Sequence, residues 1–302
     1  LPIYQMAGVI AQQGDVTRAL NLWQQSLALY EQIGDVQGKA ATLHQMAGVI
    51  AQQGDVTRAL ELYQQSLALD EQIGDVKGKA ATLHQMAGVI AQQGDVTRAL
   101  NLWQQSLALK EQIGDVQGKA ATLANMAWLA GKQGNVAEER RLNLEAVQAF
   151  AQVGAWLYVV TVLGNLGAGE DTDARDFLAQ ALWLTLRVEV PAEAALNLTA
   201  ALLTKLGVAH ESAPRLAMAA VVLMQTRGAN HPEQKKLVAY AFNMLGACAQ
   251  ARQISEDDFV AWLEREGLRD PNRFLPALLA DLEAMVSPDA WLFDRRQVTR
   301  EP

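Results

Sequence analysis

The sequence repeats itself. Residues 4–43 read YQMAGVIAQQGDVTRALNLWQQSLALYEQIGDVQGKAATL; residues 44–83 differ from them at five of forty positions and residues 84–123 at two. Residues 124–163 are a fourth, degenerate copy that keeps Met126, Ala127, Gly134, Val136 and Gly154 in register. An ungapped period of 40 limits the fold more than any composition does. A single copy is one supersecondary unit that cannot bury its own apolar face. Successive copies must therefore stack, each covering its neighbour.

Each copy carries two helical patterns. In the second, Leu43, Met46, Ala47 and Ile50 fall at i, i+3, i+4 and i+7, one face of an α-helix. Gly54-Asp55 interrupts: glycine suits the left-handed residue after a helix, and aspartate accepts hydrogen bonds from the next helix's free amides. Val56, Ala59, Leu60, Tyr63 and Leu67 form the second stripe, and Gly74-Asp75 closes it. Of the eight prolines only Pro2 precedes Pro191, so residues 3–190 lack the residue that breaks helix interiors at a cost of about 3 kcal/mol. No sustained period-2 alternation or hairpin signal is present. The expected fold is all-α, a stack of antiparallel helix pairs.

These residues carry a family resemblance. Leu83-x-x-Met86-Ala87-x-x-Ile90-x-x-x-Gly94-x-x-x-x-Ala99-x-x-x-Trp103-x-x-Ser106-Leu107 resembles the tetratricopeptide repeat. Ala87 replaces the family's small glycine and Ser106 its small alanine; both stay small, as close helix packing requires. The usual repeat is about 34 residues; the 40-residue form is similar to the class found in kinesin light chains, polarity scaffolds and bacterial regulatory arrays. The resemblance covers residues 1–163, the expected repeat array, and implies a right-handed α-solenoid, the tetratricopeptide superhelix. Residues 164–302 are expected to be divergent helical repeats ending in a C-terminal cap. Residues 156–167 read as a fifth first helix, with Asn165-Leu166-Gly167 in the family register. Further helices are expected at 173–188, 191–206, from Ser212 to about 227, from His231 to about 249, after a cap at 255–258, and at 272–285.

The resemblance implies a non-catalytic scaffold that binds a protein or peptide on the concave face lined by first helices. Carried over residue by residue, that face holds three ladders. One is Tyr4, His44, His84 and Ala124; the next is Gln5, Gln45, Gln85, Asn125 and Asn165; the third is Gln12, Gln52, Gln92 and Lys132, with Trp128 alongside. Amides both donate and accept, so such ladders suit the backbone of an extended peptide. The family's carboxylate-binding variant uses lysines and asparagines here, where copies one to three have Tyr or His, Gly and Gln; capture of a C-terminal carboxylate is disfavoured. A sensor or regulatory arm of a larger signal-transduction ATPase or protease is the alternative reading. Its catalytic motifs would have to lie outside these residues.

Composition narrows the partners. With 33 acidic and 25 basic residues the net charge is −8, against the basic face a nucleic-acid binder needs. The basic clusters, Lys235–Lys236 and Arg295–Arg296 with Arg300 nearby, read as a solvated helix face and tail. The longest apolar stretch, residues 216–224, falls short of the roughly 18 residues of a membrane span. One cysteine, Cys248, has no partner for a disulfide, which makes a reducing cytoplasm the default compartment, and it reads as a buried thiol. His44 and His84 share one repeat position, with no acid or second histidine at i+3 or i+4, so no metal site is expected. His231, before Pro232, reads as a helix cap. Residues 164–169 lack the glycine order of a phosphate loop, and Glu170, Asp171 and Asp173 read as helix-capping charge. Trp23, Tyr63 and Trp103 occupy the repeat's aromatic packing position. No catalytic residue or cofactor is expected.

The near-identical copies differ in five columns: Tyr4/His44/His84, Asn21/Glu61/Asn101, Trp23/Tyr63/Trp103, Tyr30/Asp70/Lys110 and Gln37/Lys77/Gln117. Recent duplication accounts for the identity elsewhere. The free change of charge at residue 30 and its equivalents points to an exposed position. The array opens without a polar cap, so residues 4–10 are expected to present an apolar face that pairs with a second copy of the chain.

Overall fold

A computed structural model describes residues 2–298; Leu1 and Arg300 lie outside the described residues. Among the described residues there are fifteen α-helices, two 3₁₀ turns and no strand. They form two compact units, divided between Leu142 and Asn143.

The first unit contains α1 (Ile3–Gln12), α2 (Val16–Ile33), α3 (Val36–Gln52), α4 (Val56–Ile73), α5 (Val76–Gln92), α6 (Val96–Gln112) and α7 (Val116–Lys132). The Gly-Asp turns set their ends. Gly34 and Gly74 take the left-handed conformation after α2 and α4, at φ 70° and 68°. Asp55 then accepts from the Arg58 amide and Asp75 from the Gly78 amide, satisfying amides the next helix leaves free. The same caps recur at Asp15, Asp35, Asp95 and Asp115.

The first stripe, Leu43, Met46, Ala47 and Ile50, is buried; of the second, Ala59 and Tyr63 are buried while Val56, Leu60 and Leu67 are half-buried against them. Trp23, Tyr63 and Trp103 are almost fully covered, as are Ala19, Ala59 and Ala99. Ser66 and Ser106 donate to the carbonyls of Ala40 and Ala80 at 2.9 and 2.8 Å. A serine thus holds the small position because its hydroxyl ties each second helix to the first helix that precedes it.

Helix α8 (Val136–Gln152) carries the chain into the second unit, with α9 (Trp156–Gly167), α10 (Ala174–Thr185), α11 (Ala192–Leu206), α12 (Ala213–Thr226), α13 (Gln234–Gln250), α14 (Phe259–Arg265) and α15 (Pro271–Met285). Helix α10 is its centre, with ten of twelve residues buried. It stops at Thr185, short of the expected 188. Arg295 and Arg296 are exposed, as expected, but the segment before them packs back on α10: the Gln180 amide donates to the Ala290 carbonyl and accepts from the Leu292 amide. Trp183 meets Trp291 and Phe293 edge-on or tilted, at 5.4 and 6.1 Å between ring centroids. Arg295 lies over Trp291 and pairs with Glu283, while Lys236 pairs with Glu233. Glu170 does not cap α10. It pairs with Lys205, whose ammonium also donates to the Gly169 carbonyl. His231 accepts from the Glu233 amide in the turn before α13, but Glu233 is the N-cap residue and no side chain caps the helix, so His231 does not have the capping role expected of it.

Candidate functional site

In the first unit α1, α3, α5 and α7 touch in succession, which turns repeat positions into columns. Gln5, Gln45, Gln85 and Asn125 are exposed, as are Gln12, Gln52, Gln92 and Lys132. His44, Gln45, Gln52, Gln85 and Gln92 converge on one cavity of ≈ 530 Å³. Gly48 and Gly88 also line it; a Cβ at Gly88 would meet nothing within 4 Å, so the small residue there leaves open space. Gln5, Gln12 and Lys132 stand outside that cavity. Trp128 is 50% exposed, with the Lys132 ammonium 5.7 Å from its ring centroid. Asn165 is exposed on α9, in the second unit.

The histidine column is half-buried and anchored. His44 Nδ1 lies 3.0 Å from the Thr82 hydroxyl, its ring edge-on to Tyr63 at 5.5 Å. His84 Nδ1 lies 3.1 Å from the Thr122 hydroxyl. That hydroxyl donates to the Gly118 carbonyl and accepts from the Lys110 ammonium at 2.8 Å. Its one proton is spent, so His84 Nδ1 must carry the shared hydrogen. Nε2 is then free to accept from the Asn125 amide at 3.2 Å. Burial, then the Lys110 charge, pushes His84 down to about 4; burial alone pushes His44 down. Both present neutral rings.

The column at residue 30 is not exposed. Tyr30 is half-buried, and Asp70 and Lys110 are only 4% and 6% exposed. This last turn of the second helix packs on the first turn of the helix that follows it, where glycine makes room. A Cβ on Gly38 would come within 2.6 Å of the Tyr30 ring, and one on Gly78 within 2.6 Å of the Asp70 carboxylate. The threonine four residues on answers the charge. Thr82 donates to Asp70 at 3.4 Å, and Lys110 donates to Thr122 and to the Gly118 carbonyl. Burial and then the Asp75 charge raise Asp70 to about 6, against the Thr82 hydrogen bond. Burial lowers Lys110, against Asp75's counterpart Asp115. The expectation that Asp70 and Lys110 are exposed is thus overturned, and Thr82 and Thr122 carried no expectation; the repeated Gly-x-x-x-Thr at 38–42, 78–82 and 118–122 was the signal.

Cys248 is buried, which raises its thiol above the usual range. Among the described residues no three or more His, Cys, Asp or Glu converge as metal ligands, and no helix is long and apolar enough to cross a membrane.

A family model described as "Tetratricopeptide repeat" matches residues 2–72 and 78–152. Among curated proteins none matches. Among solved structures, BtubC (BKLC) from P. vanneervenii is similar at 15% identity over 81% of this chain and 91% of that one, with a TM-score of 0.46. A Podosopora anserina kinesin light chain candidate with nearly identical TPR-like repeats is similar at 18% identity over 68% of this chain and 93% of that one, with a TM-score of 0.41.

Proposed function

This chain belongs to the tetratricopeptide repeat family, whose members are protein-interaction scaffolds, and from that premise we propose that it binds an extended peptide segment of a partner protein across the faces of α1, α3, α5 and α7. The observation that carries the reading is the cavity of ≈ 530 Å³ where amides from two successive copies meet over glycine. Side-chain amides supply donors and acceptors on both sides of a peptide backbone, which specifies an extended chain more than a particular sequence.

The probe is a peptide selected from a random dodecapeptide display library on the intact chain, then synthesised and titrated by fluorescence anisotropy. Replacing Gln45, Gln85 and Asn125 together with alanine is expected to weaken it roughly tenfold or more, at about 0.5–1.5 kcal/mol per lost hydrogen bond. Helical content by circular dichroism stays unchanged, because all three side chains are exposed. Unchanged affinity would move the binding surface elsewhere.

The first helix supports self-association as a second property of the scaffold. Met6 and Val9 on α1 are 38% and 46% exposed. Light scattering at rising concentration is expected to show a mass above that of one chain, reduced by Val9→Lys. A strictly monomeric profile refutes this.

A further inference from the structure

Three of the five columns in which the copies differ line one cavity. Tyr4, Gln37, His44, Asp70 and Lys77, from three of those columns, line a cavity of ≈ 300 Å³ together with Asp75. Tyr63, from a fourth, packs against His44. Only Glu61's column stands apart, on the exposed side of its helix. Copies that share at least thirty-five of forty residues thus differ, in three of five columns, at the lining of one cavity.

The charge of this cavity is specific. Asp70 is buried; its one side-chain hydrogen bond comes from Thr82, and no cation among the described residues pairs with it. Asp75 has committed one oxygen to the Gly78 amide and the other to the Gln37 amide. Lys77 is the single cation on the wall, against two carboxylates, and His44 and Tyr4 are neutral. The excess is one negative charge, partly withdrawn from water, where an added cation is favoured and an added anion is repelled. We propose that this cavity is a subsite for one lysine or arginine side chain of the bound peptide, with its cationic head seated against Asp70. The inference rests on the peptide-binding reading above. One copy on, Lys110 stands where Asp70 does, so the next junction does not share this preference.

The test repeats the display selection on the intact wild-type chain, on Asp70→Lys and on Asp70→Asn. Asp70→Lys installs what the chain already carries at residue 110, and Asp70→Asn keeps the shape. Both are expected to retain full helical content. Wild-type selection is expected to enrich lysine or arginine at one position. The wild-type peptide should bind both variants about tenfold more weakly, and that position should lose its basic preference in the selection on Asp70→Lys. Affinity for the wild-type chain should also weaken as pH falls through about 6, where Asp70 takes up a proton beside Asp75, Lys77, His44 and Tyr4. The same consensus and affinity on all three proteins would overturn the subsite and leave the peptide-binding reading standing, with the Gln45, Gln85 and Asn125 variant as its own check. No enriched peptide on the wild-type chain would overturn both.

Discussion

Replacing Trp103 with alanine is expected to lower the unfolding free energy of the repeat array by about 3–5 kcal/mol, the usual cost of emptying a buried aromatic site. Trp103 is 1% exposed, and its indole N–H donates to the His84 carbonyl at 3.2 Å, tying α6 to α5 within its copy. Ala87, Met126 and Leu129 stand one copy on from residues that pack with Tyr63, and all three are buried. A stack held by neighbour contacts has no distant core to absorb the loss. Urea unfolding followed by circular dichroism should show the shift as a lower midpoint. Trp23 is the internal control: its indole nitrogen is buried without a hydrogen-bond partner. Trp23→Phe should therefore cost less than Trp103→Phe, which gives up a bond of about 1 kcal/mol. A loss below about 1 kcal/mol for Trp103→Ala would show that the aromatic column does not pack between the helices.

The helix boundaries of the first unit were legible because their signals are local and repeated. The Gly-Asp pair at 54–55 or 74–75 supplies a left-handed residue and a cap within two positions, and the helices start and stop there. The amide ladder was legible too, since Gln45 and Gln85 sit at one repeat position on helices that must lie side by side. The burial of Asp70 was obscured by its chemistry. Residue 70 lies seven after Tyr63 and three after Leu67, on the buried stripe by helical spacing, yet its exchange for tyrosine or lysine argued for solvent. What reconciles the two is Gly78, whose missing side chain gives each occupant its space, and Thr82, whose hydroxyl serves either charge. That needs two successive helices, α4 and α5, in contact, which no single-helix pattern contains.

The second unit was less legible for a related reason. Its helices were found one by one from prolines, glycines and caps, but no period says which lie together. Trp183 and Trp291 are more than a hundred residues apart, and nothing in either neighbourhood announces their contact. Arg295 looked like part of a free basic tail because its acidic partner, Glu283, and its aromatic one, Trp291, belong to a fold-back visible only in three dimensions.

Acid is expected to expose two opposing titrations that nearly cancel in the wild-type chain. His84 sits at about 4, below its ordinary 6.5. The unfolded chain takes up that proton first, so the stability from the neutral ring is complete above 6.5 and is lost as pH falls towards 4. Each tenfold change in proton affinity is worth about 1.4 kcal/mol, so the loss is on the order of 3 kcal/mol. Asp70 sits at about 6, above its ordinary 3.8. Here the folded chain takes up the proton first, so stability is gained as pH falls from about 6 to 3.8, again on the order of 3 kcal/mol, and is lost on the way back up. Relative to the wild-type chain, Asp70→Asn should therefore lose about 3 kcal/mol between pH 7 and 4, and His84→Gln should gain a similar amount. Urea midpoints at pH 7 and pH 4 measure both, and subtracting the wild-type change removes the other carboxylates. The geometry gives the signs their cause. Protonating His84 turns Nε2 from an acceptor of the Asn125 amide into a donor facing it, beside the buried Lys110 ammonium. Protonating Asp70 removes a buried negative charge set against Asp75. Parallel pH profiles for the three proteins would show that these two groups are not buried in the states assigned to them.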